Sequence, residues 1–239
     1  MEVSTCNGVF CLSDDVYGKY TGRAALWNPS VRKFIAIPGP NVTFTSHGPY
    51  IHSLGFGFDS TTDDFKLVSV VYLQDSDFNF YEIPPLVEIY SLRSRCWRMV
   101  HNDLRHAIPE CSTSAFLKGA CNWVAPKRQK GAVAGDVIVS FALGEEVFGE
   151  MEVPDLFGIR KLVACRLNGK VLLAKGGRKL VFYDPKTEEI FDAEILGDVR
   201  FDAFVDSLVL LSEANEFTEE EASEGDDANG VSKDHYSFF

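Results

Sequence analysis

Apolar and polar residues alternate in short blocks along this chain, and one block recurs four times with variations. The copies read LWNPSVRKF from Leu26, EIYSLRSRCW from Glu88, VSFALGEEVF from Val139 and VFYDPKTEEI from Val181. In each, an aromatic residue (Trp27, Tyr90, Phe141, Tyr183) is followed seven positions later by a bulky apolar one (Phe34, Trp97, Phe148, Ile190), with polar turn formers between them. That pattern predicts a strand, a tight turn and a second strand. Ahead of three copies stands another apolar stretch broken by a glycine turn: CNGVFCL at Cys6, FLKGACNWV at Phe116 and RLNGKVLLA at Arg166. The second copy has LGFGFDSTTDDFKLVSVVY at Leu54 in that place. The unit is therefore two hairpins, and it recurs about every forty to sixty residues.

Residues 68–73, 137–141, 171–174 and 180–183 are near-continuous apolar runs, which implies strands covered on both faces. No helical period of useful length supplies that cover; the nearest candidates, around 102–108 and 216–222, are short. Stacking one small sheet on the next does. The pattern predicts an all-β, propeller-like array of four-stranded antiparallel blades, about four units.

Composition adds size and charge. The 239 residues, 46% hydrophobic and 13% aromatic, suffice for one large domain with a substantial core, and nineteen Phe and eight Tyr favour strands over helices. The net charge of −12 is uneven: residues 213–239 hold nine carboxylates against Lys233 alone, a net of −8, which leaves −4 for the rest. Neither part carries the basic field expected of a nucleic-acid binder. The acidic segment 212–239 is poor in apolar groups and is expected to be a disordered tail behind a domain at 1–211. No signal sequence or membrane-length apolar segment is read, so no membrane partner is expected. Cys6, Cys11, Cys96, Cys111, Cys121 and Cys165 show no metal-ligand or C-x-x-C spacing. A two-residue turn at Asn7-Gly8 would set Cys6 opposite Val9 and Cys11 opposite Ser4, so free thiols in a reducing, cytoplasmic or nuclear compartment are expected. On that reading the Asn41-Val42-Thr43 sequon is a chance occurrence.

Local chemistry accounts for several repeat positions. Asn28-Pro29 and Asp184-Pro185 set a turn-capping side chain before a ring that fixes φ. Trp27, Trp97 and Trp123 are plates suited to filling space between tilted sheets.

Taken together, CNGVFCL, LWNPSVRKFIAIP from Leu26, LGFGFDSTTDDFKLV, VEIYSLRSRCWRMV from Val87, the G-x-x-x-W of Gly119 and Trp123, and FYDPKTEEI from Phe182 resemble the F-box-associated domain of plant F-box proteins. FVDSLVLL from Phe204 looks like the strand that closes that domain, and the resemblance covers roughly residues 5–211. It implies a substrate-recognition module of a ubiquitin ligase, whose F-box grips a Skp-type adaptor of a cullin complex while the associated domain binds a target protein. No F-box is read ahead of Cys6, so adaptor and cullin are expected as partners only where one stands upstream. A unit usual in the family is also replaced by the short DLFGIRKLVA from Asp155, so the ring is expected to stay open or to close more tightly.

No catalytic, cofactor or metal constellation emerges. DSTTDD from Asp59 lacks the EF-hand glycine and distal glutamate and reads as a solvated turn. The GFGF of Gly55 lacks the third glycine and the helix of a dinucleotide loop, so it reads as strand packing. His47, His52, His101, His106 and His235 are scattered, and the pairs Glu145-Glu146 and Glu188-Glu189 fall in solvated hairpin turns. The basic PKRQKG from Pro126 reads as a solvated connection. In QDSDFNFYEIPP from Gln74, by contrast, Phe78, Phe80 and Tyr81 have no strand pattern to bury them, and exposed aromatics on a loop suit protein recognition. The expected function is a non-catalytic protein-interaction module. The alternatives are a propeller enzyme acting on carbohydrate and a truncated product without independent activity.

Overall fold

The computed structural model describes residues 2–13, 24–110, 112, 114–129, 132–152, 159–165, 170–175, 179–184, 186–187, 189–196 and 215–216. Pro185, the expected closing strand 204–211 and all but two residues of 212–239 lie outside them.

Each repeat read from the sequence becomes one antiparallel sheet. The first runs β1 (Glu2–Cys6), β2 (Val9–Ser13), β3 (Ala24–Asn28), β4 (Lys33–Ile37). A single-turn helix, α1 (Phe44–His47), leads to the second, β5 (Tyr50–Asp59), β6 (Asp64–Leu73), β7 (Leu86–Ser91), β8 (Cys96–Val100). The third is β9 (Ala115–Leu117), β10 (Ala120–Gln129), β11 (Ala132–Ala142), β12 (Val147–Glu152). The fourth is β13 (Ile159–Cys165), β14 (Val171–Lys175), β15 (Lys179–Asp184), β16 (Glu189–Leu196). A two-residue β17 (Asn215–Glu216) pairs with the outer edge of the first sheet, Asn215 opposite Phe34 and Glu216 opposite Lys33.

The seven-residue spacing has a direct meaning in this register. Trp27 faces Phe34, Tyr90 faces Trp97, Phe141 faces Phe148 and Tyr183 faces Ile190 across the same hairpin of each sheet. Cross-strand pairs of this kind are the unit of sheet stabilisation; the Tyr90 and Trp97 ring centroids are 5.4 Å apart, those of Phe141 and Phe148 4.8 Å. The turns between them are capped as their residues suggest: the Asn28 side-chain oxygen accepts from the Ser30 N–H at 3.0 Å, and Asp184 accepts from the Lys186 N–H at 3.0 Å. Asn7 and Gly8 both have positive φ, 49° and 75°, the geometry of the two-residue turn that sets Cys6 opposite Val9 and Ser4 opposite Cys11.

Three layers of core lie between successive sheets. Cys6, Val9 and Leu26 pack on Phe56, Phe65 and Leu67. On the other face of the second sheet Val68, Val70 and Ile89 meet Cys121, Trp123, Val139 and Phe141. Val124 and Ile138 of the third then meet Val171, Leu173, Val181 and Tyr183 of the fourth. The apolar runs 68–73 and 137–141 are thus strands covered on both faces by neighbouring sheets, while the runs 171–174 and 180–183 of the fourth sheet meet the third on one face. The first strands gather, with β1 beside β5, β5 beside β9, and β13 beside β9 and β10. Among the described residues no comparable approach joins the fourth sheet to the first.

Close approach at the second interface depends on the two glycines of GFGF. A Cβ on Gly55 would lie 2.5 Å from a ring carbon of Trp123, and one on Gly57 2.2 Å from a ring carbon of Phe116.

Two expectations need correction. Trp123 is fully buried between sheets, but Trp27 is 40% exposed on the outer face of the first sheet, against Phe10, while Trp97 is half-buried and donates its indole N–H to the Pro38 carbonyl at 2.7 Å. Trp97 still packs against the core between the first two sheets, whereas Trp27 does not, because Leu26 takes the side of β3 that faces the second sheet and Trp27 points to the other. Residues 126–129 of the basic stretch are not a connection but the end of β10, where Pro126 pairs with Asp136 and Lys127 with Gly135 before a bulge. The bulge there lets proline and charge continue a strand that sequence rules would end.

Candidate functional site

Alternation within each sheet separates short turns from long connections. In the second sheet the turns 60–63 and 92–95 lie at one end, while the connections 38–49, 74–85 and 101–110 gather at the other. The long-connection end holds the candidate loop.

Loop 74–85 is tied down along its length. The Gln74 N–H donates to the Pro49 carbonyl at 3.1 Å, and the Asp75 carboxylate accepts from the Asp77 and Asn79 N–H groups at 2.9 and 2.8 Å. Farther on, Asn102 donates to the Pro85 carbonyl at 2.9 Å. The three aromatics do not share one environment. Phe78 is 79% exposed, Phe80 is half-buried, and Tyr81 turns inward. Its ring meets Tyr72 edge-on at 4.7 Å, and its hydroxyl accepts from the Glu110 N–H at 3.3 Å. Exposure was expected of all three; Phe80 and Tyr81 depart from it, Tyr81 because the buried Tyr72 offers an apolar wall at the root of the loop. Phe78 and Tyr81 both hold positive φ, 64° and 78°, a conformation bulky side chains adopt only when surroundings impose it.

The neighbouring connections are pinned by groups the sequence did not single out. Glu88, fully buried on β7, accepts from the Asn41 and Val42 N–H groups at 3.1 and 3.0 Å and so fixes the entry to α1, where Phe44 is 48% exposed. Tyr72 accepts from the Ile108 N–H at 2.9 Å, and burial pushes its hydroxyl well above the usual phenol range despite that bond. Ser53 donates to the Pro109 carbonyl at 2.9 Å.

At the opposite end lies a buried charge chain. The Lys66 ammonium donates to Asp59 at 2.9 Å and to the Leu143 carbonyl at 3.0 Å, and stands 3.4 Å from Glu146, which also pairs with Arg98. Burial alone would raise the Asp59 carboxyl. The hydrogen bonds from Lys66, the Thr62 hydroxyl and the Thr61 N–H, with the Lys66 charge, outweigh it and hold the group well below the usual carboxylate range. Asp64 likewise accepts from Ser91 at 2.5 Å and from the Arg93 N–H at 2.9 Å. The ends of DSTTDD and one acid of Glu145-Glu146 are therefore not solvated turn residues but fasten the second sheet to its neighbour and to its own outer hairpin. A legible signal existed, since Lys66 and Glu88 stand inside runs that are otherwise apolar and covered on both faces.

The chemistry-bearing residues stay apart. His47 contacts Ser46 through Nδ1 at 2.7 Å, His52 stacks on Tyr50, and His106 lies 3.6 Å from Glu150; His235 is outside the described residues. Cys6, Cys11 and Cys121 are buried and Cys96 is exposed, while Cys111 lies outside the described residues. Among the described residues no three His, Cys, Asp or Glu side chains converge on a metal position, and no helix is long and apolar enough to cross a membrane.

Four-stranded antiparallel sheets, stacked face to face with their first strands gathered, define a propeller-type all-β protein. More particularly, the chain belongs to the F-box-associated family: the family model described as the F-box associated beta propeller domain matches residues 1–165. Three Arabidopsis thaliana proteins are similar to it. One F-box protein is 26% identical over 164 residues, covering 59% of this chain and 40% of the relative. An F-box/kelch-repeat protein is 23% identical over 154 residues, covering 64% and 38%. A further F-box protein is 27% identical over 197 residues, covering 76% and 44%. The chain thus spans about two fifths of the length of the curated relatives it matches.

Proposed function

We propose that this protein is a non-catalytic interaction module that recognises a target protein, of the kind F-box proteins use to select substrates for a Skp–cullin ubiquitin ligase. The observation that carries the reading is the pairing of a rigid, repeat-built sheet scaffold with well-anchored long connections gathered at one end, in a chain of the F-box-associated family. Scaffolds of that type put recognition on loops. The recognition unit is residues 1–211, followed by the acidic tail 212–239, whose Asn215 and Glu216 pair with the first sheet, and it works in the cytoplasm or nucleus. Adaptor binding belongs to an F-box placed upstream of these residues, not to the sheets.

The test separates the two activities. Residues 1–239 alone should not retain a purified Skp-type adaptor, whereas the same residues behind an F-box should. The proteins captured from plant extract should change when residues 1–211 are exchanged between two F-box fusions. Adaptor retention by residues 1–239 alone, or capture that follows the F-box instead of the exchanged domain, would overturn the reading.

A further inference from the structure

We infer that loop 74–85 is a docking site for a basic segment of a partner protein, with Phe78 as its anchor; the inference rests on the interaction-module reading. Phe78 is the most exposed large apolar side chain among the described residues, at 79%. Its left-handed backbone, φ 64°, is unfavourable for an aromatic residue, yet five hydrogen bonds hold it. Besides the two from Asp77 and Asn79 to the Asp75 carboxylate, the Asp75 N–H donates to the Asn79 carbonyl at 2.8 Å and the Phe78 N–H to the Asp75 carbonyl at 3.2 Å. The Gln74 amide donates to the Phe78 carbonyl at 3.3 Å. A ring displayed on a backbone already fixed loses little freedom on binding, which is what a binding anchor requires.

Charge decides the partner. The loop contains Asp75, Asp77 and Glu82 and no lysine or arginine, and the exposed Glu110 stands beside Tyr81. Asp77 and Glu82 are exposed and form no ion pair among the described residues. An exposed aromatic ring on a loop that also carries the exposed carboxylates of Asp77 and Glu82 suits arginine or lysine twice over, through attraction to the ring and through the carboxylates, while the aliphatic stem of the same side chain covers apolar area. The net charge of −4 outside residues 213–239 has the sign that attracts basic partners and repels nucleic acid and anionic lipid.

The probe is a displayed library of random twelve-residue peptides selected on the intact chain, with the best binders resynthesised. The expected peptides carry two or more Lys or Arg beside a bulky apolar residue. Their binding should weaken at least about tenfold in Phe78→Ser, a loss of hot-spot size. It should weaken similarly in the charge reversal Asp77→Lys/Glu82→Lys and at raised salt, with melting temperatures unchanged. Neutral or acidic selected peptides, or basic ones that bind the two variants as tightly as the parent, would overturn the inference and leave the interaction reading standing. Failure to select any peptide would count against both.

Discussion

Replacing Gly55 by alanine puts one methyl group into the interface between the second and third sheets, where it would lie 2.5 and 2.9 Å from two ring carbons of Trp123 and 3.0 Å from Cys121 Cβ. The Trp123 ring is fully buried and has no free space to move into. Overpacking of this kind costs about 1–3 kcal/mol. The reduced entropy of the unfolded chain returns about 0.4–1 kcal/mol, because Gly55 does not hold a positive φ that alanine would resist. The expected net loss is about 1–2 kcal/mol, or roughly 2–8 °C in melting temperature for a domain of this size. Gly39→Ala is the control: nothing lies within 4 Å of its Cβ, so it should be neutral or slightly stabilising. Trp123→Phe removes the two ring carbons that clash, and it forfeits no hydrogen bond, since the indole N–H is buried without a partner. The pair Gly55→Ala/Trp123→Phe should therefore be more stable than the sum of the single losses by at least about 1 kcal/mol, a coupling typical of residues in contact. Urea unfolding with unchanged slope measures all four variants. A Gly55→Ala protein as stable as Gly39→Ala, or strict additivity in the double variant, would refute the packing argument.

Two further outcomes follow from the buried groups. Because Asp59 titrates below its unfolded value near 4, its ionised form stabilises the fold above about pH 4, and the contribution fades as pH falls through the lower folded value. Asp59→Asn should thus cost roughly 3 kcal/mol at neutral pH by leaving Lys66 under-compensated, with the gap to the parent narrowing in acid; a gap constant from neutral pH to about pH 3 contradicts this. Burial pushes the Cys6 thiol up to about 12 against a hydrogen bond with the Phe58 backbone, and Cys121 rises as well. Thiol labelling mapped by mass spectrometry near pH 8 should modify Cys96 before Cys6, Cys11 or Cys121, and equal rates at Cys6 and Cys96 would show that the interface between the first two sheets opens readily.

The repeat itself was legible because strand pairing is local. A seven-residue interval around a tight turn brings its two ends opposite each other, so Trp27 and Phe34, or Tyr90 and Trp97, meet within one hairpin whatever the rest of the chain does. The Asn7-Gly8 turn fixed the register of β1 on β2 for the same reason. Continuous apolar runs then demanded cover on both faces, and for the second and third sheets the order of the sheets supplied it. What the sequence could not settle depends on contacts between residues far apart in the chain. Lys66 meets Leu143 and Glu146, and Glu88 meets Asn41 and Val42, only after the sheets have stacked, so Asp59, Asp64 and Glu146 read as solvated turn residues and the partners of Lys66 and Glu88 stayed hidden. Loop 74–85 divides along the same line. Its composition marked the aromatics as unclaimed by any strand, but only the tertiary wall of Tyr72 drew Tyr81 inward and left Phe78 outside. Alternation along the chain sets local pairing, whereas exposure is a property of what the neighbouring sheet or loop covers.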